Sequence, residues 1–190
     1  MSSTLKYVPL VLALGASLTT LAAEPDPIAA ARQASMQLIN TLGGELKAAM
    51  AKGSTEQAIS VCKERSPIIS AEIAKKTGMD IHRVSTRNRN PNAVPDAWEA
   101  EAIASLEKRL AAGEKPETLE LSAVVTDAKG KTFRYAKALI TQPRCLNCHG
   151  TPEDISDAVK ARLASDYPAD KAVGYSAGML RGIISVRKTM

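Results

Sequence analysis

The stretch Cys145-Leu146-Asn147-Cys148-His149 offers the most distinctive chemistry in this sequence. Two cysteines three positions apart, followed directly by a histidine, match the C-x-x-C-H pattern of covalent haem attachment. Each thiol can add across a vinyl group of the porphyrin, and the histidine is then placed to put an imidazole nitrogen on the iron. The sequence has only three cysteines and two histidines, so chance assembly of this stretch is improbable. It predicts one covalently attached haem c, with Cys145 and Cys148 as attachment points.

Three other interpretations of the two cysteines are weaker. A redox disulfide of the thioredoxin type is expected near a βαβ pattern, whereas the chain before Cys145 has the pattern of an antiparallel hairpin. A closed zinc site needs four ligands, and the remaining Cys62 and His82 form no second short-spaced pair. A structural disulfide stays open for an exported protein.

The N-terminus has the pattern of a secretory signal. Lys6 is followed by apolar or small residues from Tyr7 to Leu21, and small residues then allow cleavage near Ala22 or Ala23. Residues 1–23 are therefore predicted as a signal peptide and residues 24–190 as a single domain. No other apolar run is long enough to span a membrane, so we expect no stable membrane span after cleavage.

Charge and cysteine count narrow the function further. The formal net charge of +5 falls when the signal peptide is removed and when haem propionates bind, so we expect no nucleic-acid partner. Cys62 is the odd cysteine of the mature chain. It is predicted to be a free thiol, to form an intermolecular bond, or to ligate the iron.

Helical patterns dominate the first half of the mature chain. Apolar residues recur at three- and four-residue spacing from Ile28 to Met50. This stripe predicts a packing helix, and because it is close to a heptad it also fits a homodimer seam. Further helices are predicted from Ser54 with a Gln57 capping box, from Ser66-Pro67 to Lys76 with Gly78 as the stop, from Asp96 with a Glu99 capping box to Leu110, and from Pro152-Glu153 to Ser165.

The strand patterns come later, which indicates an α+β fold. Apolar residues alternate from Leu119 to Val125, a turn follows at Asp127–Gly130, and Thr132–Ile140 runs back as the second half of a hairpin. Arg181–Arg187 is predicted as the last strand. His82–Asn92, rich in arginine and asparagine, is predicted as an irregular polar loop with His82 on the surface.

Several blocks of this sequence resemble a family of bacterial exported single-haem c-type proteins with a PAS-like fold. The resemblance runs in order from about Cys62 to Val186. Its blocks are Arg83-Val84-Ser85, Arg89-Asn90-Pro91-Asn92, Pro95-Asp96-Ala97-Trp98-Glu99, Cys145-Leu146-Asn147-Cys148-His149-Gly150, the stretch from Tyr167 to Tyr175, and Gly182-Ile183-Ile184-Ser185-Val186.

The resemblance implies a PAS-like antiparallel sheet with N-terminal helices packed around one haem. It implies thioether bonds from Cys145 and Cys148, His149 as the proximal iron ligand, and the Cys62 thiolate as the distal ligand. It also implies a bacterial periplasmic location, since haem of this type is attached outside the cytoplasm.

A six-coordinate haem with histidine and thiolate ligands is expected to have a low reduction potential. We therefore expect a role in redox sensing, small-gas sensing or electron transfer, with an unidentified redox partner or a small diatomic ligand, and no enzyme activity. One alternative is an ordinary electron carrier with histidine and methionine ligands. Its candidate thioethers belong to Met36, Met50, Met79 and Met179. Another is a peroxidase-type enzyme, which needs an acid–base group beside an open iron position, and only His82 is available.

Four further residues are candidates for contacts with the haem. Arg83, Arg87 and Arg89 carry guanidinium groups that fork onto carboxylates and could hold the propionates, although such a loop is often only solvated. Trp98, the single tryptophan, either lines the pocket or packs within its helix.

Overall fold

The computed structural model of the protein describes residues 26–128 and 130–190. The predicted signal peptide lies outside these residues. The helical elements are α1 (Pro27–Lys52), α2 (Thr55–Ser60), a π-helical turn (Val61–Arg65), α3 (Ser66–Thr77), α4 (Ala97–Ala111), α5 (Leu146–His149) and α6 (Asp157–Asp166), with 3-10 turns at Pro116–Thr118 and Pro143–Cys145. The strands are β1 (Asp80–Val84), β2 (Glu120–Asp127), β3 (Gly130–Ile140) and β4 (Leu180–Thr189).

The four strands form one antiparallel sheet in the order β1-β4-β3-β2. The predicted hairpin is confirmed as β2 and β3, whose Asp127 and Gly130 face each other across the turn. The predicted last strand is confirmed as β4, an inner strand that pairs with both β1 and β3. A mixed fold of helices and one antiparallel sheet confirms the α+β class and is compatible with the predicted PAS-like arrangement.

Alternation along the strands divides the buried side chains between two cores. On one face of the sheet, Tyr135 and Ile184 pack with Leu38 of α1 and Ile73 of α3. On the opposite face, strand residues pack against α4, for example against Leu106. Full burial of one such large apolar side chain contributes about 1.5–3 kcal/mol, so both layers hold the sheet in place.

The bounds of two predicted helices, α1 and α4, are confirmed to within two residues at each end. In α1, the Asp26 side chain accepts a hydrogen bond from the Ile28 N–H at 3.0 Å, and the predicted apolar stripe is buried within the chain's own core. In α4, the capping box forms as predicted. The Glu99 N–H donates to Asp96 Oδ1 at 2.9 Å and the Asp96 N–H donates to Glu99 Oε2 at 2.8 Å.

The predicted break before Ser66 is wrong, because α2 continues into α3 through the π-helical turn. The Ser66 N–H bonds to the Val61 carbonyl, five residues back, and Pro67, which has no N–H, follows inside α3. Gly78 ends α3 with φ of 67°, as predicted. The predicted capping box at Ser54 is also wrong, since the Ser54 side chain makes no capping bond although α2 begins beside it at Thr55.

Two other boundaries differ from the prediction. The last helix begins at Asp157 and not at Pro152, because the Thr151 N–H bonds to Asp154 in a tight turn and Ser156 then caps α6. The predicted loop at His82–Asn92 begins too early, since His82 belongs to strand β1. Among the described residues, no helix is both long and apolar enough to cross a membrane.

Candidate functional site

The C-x-x-C-H stretch forms a compact helical turn directly after strand β3. Cys145 ends a 3-10 turn, and Cys148 and His149 lie on the short helix α5. The Gly150 N–H closes this helix by bonding to the Leu146 carbonyl at 2.8 Å. All three thiols of the protein are free, and those of Cys145 and Cys148 are half-buried. They are therefore held close together on one turn without being joined.

His149 is held in one tautomer by the backbone. Its Nδ1–H donates to the Ala172 carbonyl at 2.7 Å, because a carbonyl oxygen can only accept. The lone pair of Nε2 is therefore available to a ligand. Burial, together with the positive charges of Arg181 and Arg89, lowers the pKa of His149 well below its usual value. The imidazole is thus neutral at pH 7, which is the form that binds metals.

A segment far along the chain holds His149 in place; we call Asp170–Tyr175 the strap. Its Tyr175 N–H bonds to the His149 carbonyl at 2.9 Å, and its Gly174 N–H bonds to the Gly150 carbonyl at 2.6 Å. The Tyr175 ring stands edge-on to the imidazole, with 6.3 Å between ring centroids and 84° between planes. Both the backbone and the ring of His149 therefore have fixed neighbours.

His149 lines a cavity of about 470 Å³. The cavity lies between α3, the edge strand β1 and the loop after β1, and Cys62 and Tyr167 line it as well. Its volume is within the range of about 300–1,000 Å³ that is usual for cofactor sites. The structure therefore brings the two residues predicted as axial ligands, Cys62 and His149, to one cavity.

Cys62 lies in the π-helical turn. Such turns are rare within α-helices and often occur at functional sites. Cys62 is only half-buried. Burial raises the pKa of the neighbouring Tyr167 to about 12, and the proximity of Cys62 adds to the rise.

The Cys148 thiol is kept protonated at neutral pH. Burial raises the pKa of this group to about 11, and the opposing charge of Arg89 only partly offsets the effect. Redox-active cysteines need a low pKa, because the thiolate is the nucleophile. This environment therefore does not favour a thioredoxin-like role.

The three arginines predicted to contact haem propionates have different positions and different hydrogen-bond partners. Arg83 lines the cavity and donates to Ser66 Oγ at 2.9 Å. Arg89 also lines the cavity, but its Nε bonds to Asp170 Oδ2 at 3.0 Å. Arg87 is not part of the cavity wall. It donates to the Val173 carbonyl of the strap and stacks on the Tyr175 ring at 4.1 Å.

Trp98 and His82 also have defined environments. Trp98 packs against the core beneath α4, under the Arg134 guanidinium at 4.7 Å, and does not line the cavity. His82 does line the cavity. The prediction of a loop position is wrong, because His82 lies on β1. Its side chain is 35% exposed, with Nε2 3.0 Å from the buried carboxylate of Glu99.

Of the four methionines considered as iron ligands, none belongs to the described cavity lining. Met79 is buried in the core beside α1 and α3. Met36 and Met179 are exposed, and the Met179 sulfur accepts a hydrogen bond from the Ser176 N–H.

Sequence reasoning missed Arg181, which lines the cavity from the start of β4. Its Nη1 donates to the Arg87 carbonyl at 3.2 Å, while its buried Nε has no partner among the described residues. Burial and neighbouring arginines lower the pKa of Arg181. The sequence pattern predicts Arg181 only as the first residue of a strand, and nothing local in the sequence indicates its place in the cavity wall.

Sequence reasoning also missed that the strap holds His149 in place. The stretch from Tyr167 to Tyr175 is one of the blocks that carry the family resemblance, but no local pattern indicates that its backbone contacts His149. The assembled site can thus present one neutral imidazole, one thiol and several guanidinium groups to a single bound molecule.

Comparison with known proteins identifies the family. A family model described as Tll0287-like matches residues 19–188. A solved structure, the crystal structure of the cyanobacterial heme-protein Tll0287, has a similar fold, with a TM-score of 0.59 and 23% sequence identity. That match covers 84% of this chain and 89% of the other. No curated protein matches. Because the family model covers most of the chain, this protein belongs to the Tll0287-like family.

Proposed function

We propose that this protein binds one haem covalently and serves in electron transfer or in sensing of redox state or of a small gas. One observation carries the proposal: Cys62 and His149 line the same cavity, and Cys145 and Cys148 lie free on the turn that presents His149. The similar solved structure is described as a heme-protein, which supports haem as the group bound here.

The residues around the cavity fit a haem by charge as well as by size. In the described part of the chain, Arg83 donates to the Ser66 hydroxyl, and Arg181 donates to the Arg87 carbonyl and stacks on the Tyr175 ring at 5.3 Å. None of these hydrogen bonds is to a carboxylate. The Arg181 Nε is buried without a partner in the same part of the chain, which costs free energy unless an acceptor arrives. Haem brings two propionates, and a guanidinium forks onto a carboxylate. We therefore assign the propionates to Arg83 and Arg181, and not to Arg87 or Arg89.

The roles of the remaining residues follow from their chemistry and from the family resemblance. The Cys145 and Cys148 thiols would each add across a vinyl group, with sulfur bonding one carbon and the proton going to its neighbour. His149 would offer Nε2, because the Ala172 carbonyl holds the proton on Nδ1. Cys62, which lines the same cavity, would be the second iron ligand. Bound haem supplies a one-electron iron couple, whose potential a thiolate ligand lowers.

The site is more suitable for a carrier or a sensor than for an enzyme. A peroxidase needs an open iron position with a free acid–base group near it. His82 is the candidate, and its Nε2 is engaged with Glu99, so it is tied to α4. We also propose a periplasmic location after cleavage near Ala22 or Ala23, which suits attachment of this haem outside the cytoplasm.

The first experiment is expression with a haem-attachment system, followed by mass analysis and denaturing electrophoresis. We expect a mass increase of one haem that survives denaturation. The double variant Cys145→Ala/Cys148→Ala should lose this covalent haem. Wild-type protein that leaves the attachment system colourless would contradict the proposal.

Axial ligation is tested by absorption and electron paramagnetic resonance spectra of the ferric protein. Cys62→Ser should keep haem attached but lose the low-spin thiolate signature. Met179→Leu is the matched control, since Met179 is exposed and lies outside the cavity wall, and its spectrum should equal that of wild type. An unchanged spectrum in Cys62→Ser, or a change in Met179→Leu, would favour the histidine–methionine alternative.

Sensing and electron transfer differ in access to the iron. With Cys62 ligated, a diatomic molecule enters only by displacing it. Fast carbon monoxide binding to the reduced protein would therefore favour sensing. Binding no faster than in a closed six-coordinate cytochrome would favour electron transfer.

A further inference from the structure

Arg89 is fixed to the strap that holds His149. Its side chain is 10% exposed, as is that of Asp170, and the two form an ion pair with Arg89 Nε 3.0 Å from Asp170 Oδ2. The other carboxylate oxygen, Asp170 Oδ1, accepts the Ala172 N–H at 2.8 Å. Asp170 therefore joins Arg89 to the backbone of the residue whose carbonyl holds His149.

The Nη2 of Arg89 reaches two carbonyls beside the imidazole. It donates to the Cys148 carbonyl at 2.5 Å and to the Ala172 carbonyl at 3.3 Å. The Ala172 oxygen also accepts the His149 Nδ1–H at 2.7 Å. A carbonyl oxygen has two lone pairs, so one oxygen serves the cationic guanidinium and the imidazole together.

We infer that Arg89 is a positioning residue that sets the orientation and donor strength of His149 by sharing the Ala172 carbonyl with it. This inference rests on the proposed function, since it concerns His149 as an iron ligand. It reassigns Arg89, which was considered as a partner of the propionates, because two of its three guanidinium nitrogens are occupied by Asp170 and by the two carbonyls.

The direction of the effect follows from hydrogen-bond chemistry. A histidine ligand becomes more basic when the acceptor of its other N–H is stronger. A cationic donor on the same carbonyl draws electron density away and weakens that acceptor. Arg89 therefore makes His149 a weaker donor to the ferric iron, and its positive charge nearby acts in the same direction. Both effects raise the reduction potential.

Arg89→Met is the first test, with the reduction potential of the haem-loaded protein as readout. We expect the equilibrium constant between the two oxidation states to shift about tenfold toward the ferric protein. For a one-electron couple this lowers the reduction potential by about 59 mV. We also expect a stronger His149 hydrogen bond, seen as a downfield shift of the Nδ1 proton in the nuclear magnetic resonance spectrum of the reduced protein.

Arg87→Met is the matched control. Arg87 is a second arginine from the same loop that donates to the strap, but its acceptor is the Val173 carbonyl, one residue beyond the carbonyl that holds His149. Arg87 also stacks on the Tyr175 ring but does not reach the Ala172 carbonyl, so Arg87→Met should shift the potential and the Nδ1 proton clearly less than Arg89→Met does. A shift as large as that of Arg89→Met would overturn the specific role of Arg89.

Asp170→Asn is a second test, which still applies if Arg89→Met fails to fold. The amide retains an oxygen for the Ala172 N–H, but removes the negative charge that neutralises Arg89. A more cationic Arg89 should weaken the carbonyl further and raise the potential, opposite to Arg89→Met. A purely structural role would loosen the strap in both variants and shift the potential in the same direction, and that result would overturn the inference.

The proposed function and the role of Arg89 can be refuted separately. Wild-type protein without covalent haem would overturn the proposed function and this inference with it. If the wild-type protein carries covalent haem but Arg89→Met and Asp170→Asn both have the wild-type potential, the inference alone would be overturned.

Discussion

The buried carboxylate of Glu99 joins helix α4 to the cavity wall, and its neutralisation is a stringent test of the fold. Glu99 is 3% exposed. Its Oε1 lies 3.0 Å from His82 Nε2 and 3.3 Å from Arg134 Nη2, and its Oε2 accepts the Asp96 N–H at 2.8 Å. Glu99→Gln keeps the shape of the side chain but removes its charge.

The pKa of Glu99 sets the size of the effect. Burial raises it, but hydrogen bonds from His82 and from the Asp96 backbone outweigh burial and lower it from 4.5 to about 2. At 1.36 kcal/mol per pH unit, this lowering corresponds to about 3 kcal/mol of folding stability. Because the folded-state pKa is the lower one, the contribution is complete above about pH 4.5 and disappears as the pH falls toward 2. Glu99→Gln should therefore be less stable by about 3 kcal/mol at pH 7 and approach wild type near pH 2.

The assay is urea unfolding of wild type and variant at several pH values between 7 and 2. Glu101→Gln is the matched control, because Glu101 is on the same helix but exposed, and surface changes of this kind usually stay within about 0.5 kcal/mol. Parallel curves for wild type and Glu99→Gln, with a constant difference down to pH 2, would refute the reasoning.

Three further changes test the layers around the site by urea unfolding. Gly182→Ala should destabilise the protein by more than about 1 kcal/mol, because Gly182 has φ of 153° and an added Cβ would overlap the Val84 carbonyl oxygen; equal stability would contradict this. Leu38→Ala should cost about 2–5 kcal/mol, since Leu38 is fully buried between α1 and the sheet, and a loss below 1 kcal/mol would show that the core there is not packed as described. Tyr135→Phe should cost about 1 kcal/mol, because it removes the hydrogen bond from the hydroxyl to Glu120 Oε2 at 2.6 Å; a neutral result would mean that water replaces this bond.

Much of the fold follows from local sequence patterns. The α4 capping box joins residues three apart, the hairpin joins strands separated by a short turn, and α1 shows its buried stripe directly. Each of these features depends on neighbours in sequence, so short-range stereochemistry is enough to predict it. The C-x-x-C-H turn belongs to the same group, because its chemistry lies within five residues.

The features that were missed depend on contacts between distant parts of the chain. His82 appeared to lie in a loop because β1 is a short edge strand whose pairing partner, β4, lies about a hundred residues later. Arg89 was a candidate for a propionate contact or for simple solvation, because its carboxylate partner, Asp170, is 81 residues away and gives no local signal. Arg181 had no local signal, since its place in the cavity wall depends on how β4 enters the sheet.

The π-helical turn at Val61–Arg65 lets one continuous helix serve two different cores. Before the turn, Ile59 packs with the α6 residues Val159 and Leu163, and after it Ile69 and Ile73 pack beneath α1. In a regular α-helix successive residues are about 100° apart. The π-helical turn departs from this spacing, because its bond from the Ser66 N–H to the Val61 carbonyl spans five residues where an α-helical bond spans four. Deleting a single residue within the turn would therefore convert it to a regular helix while the segments on both sides keep facing their cores. Such a deletion would improve local helix geometry but would change which side chain the turn presents to the cavity, so the extra residue matters for the placement of Cys62 and not for the alignment of the two cores.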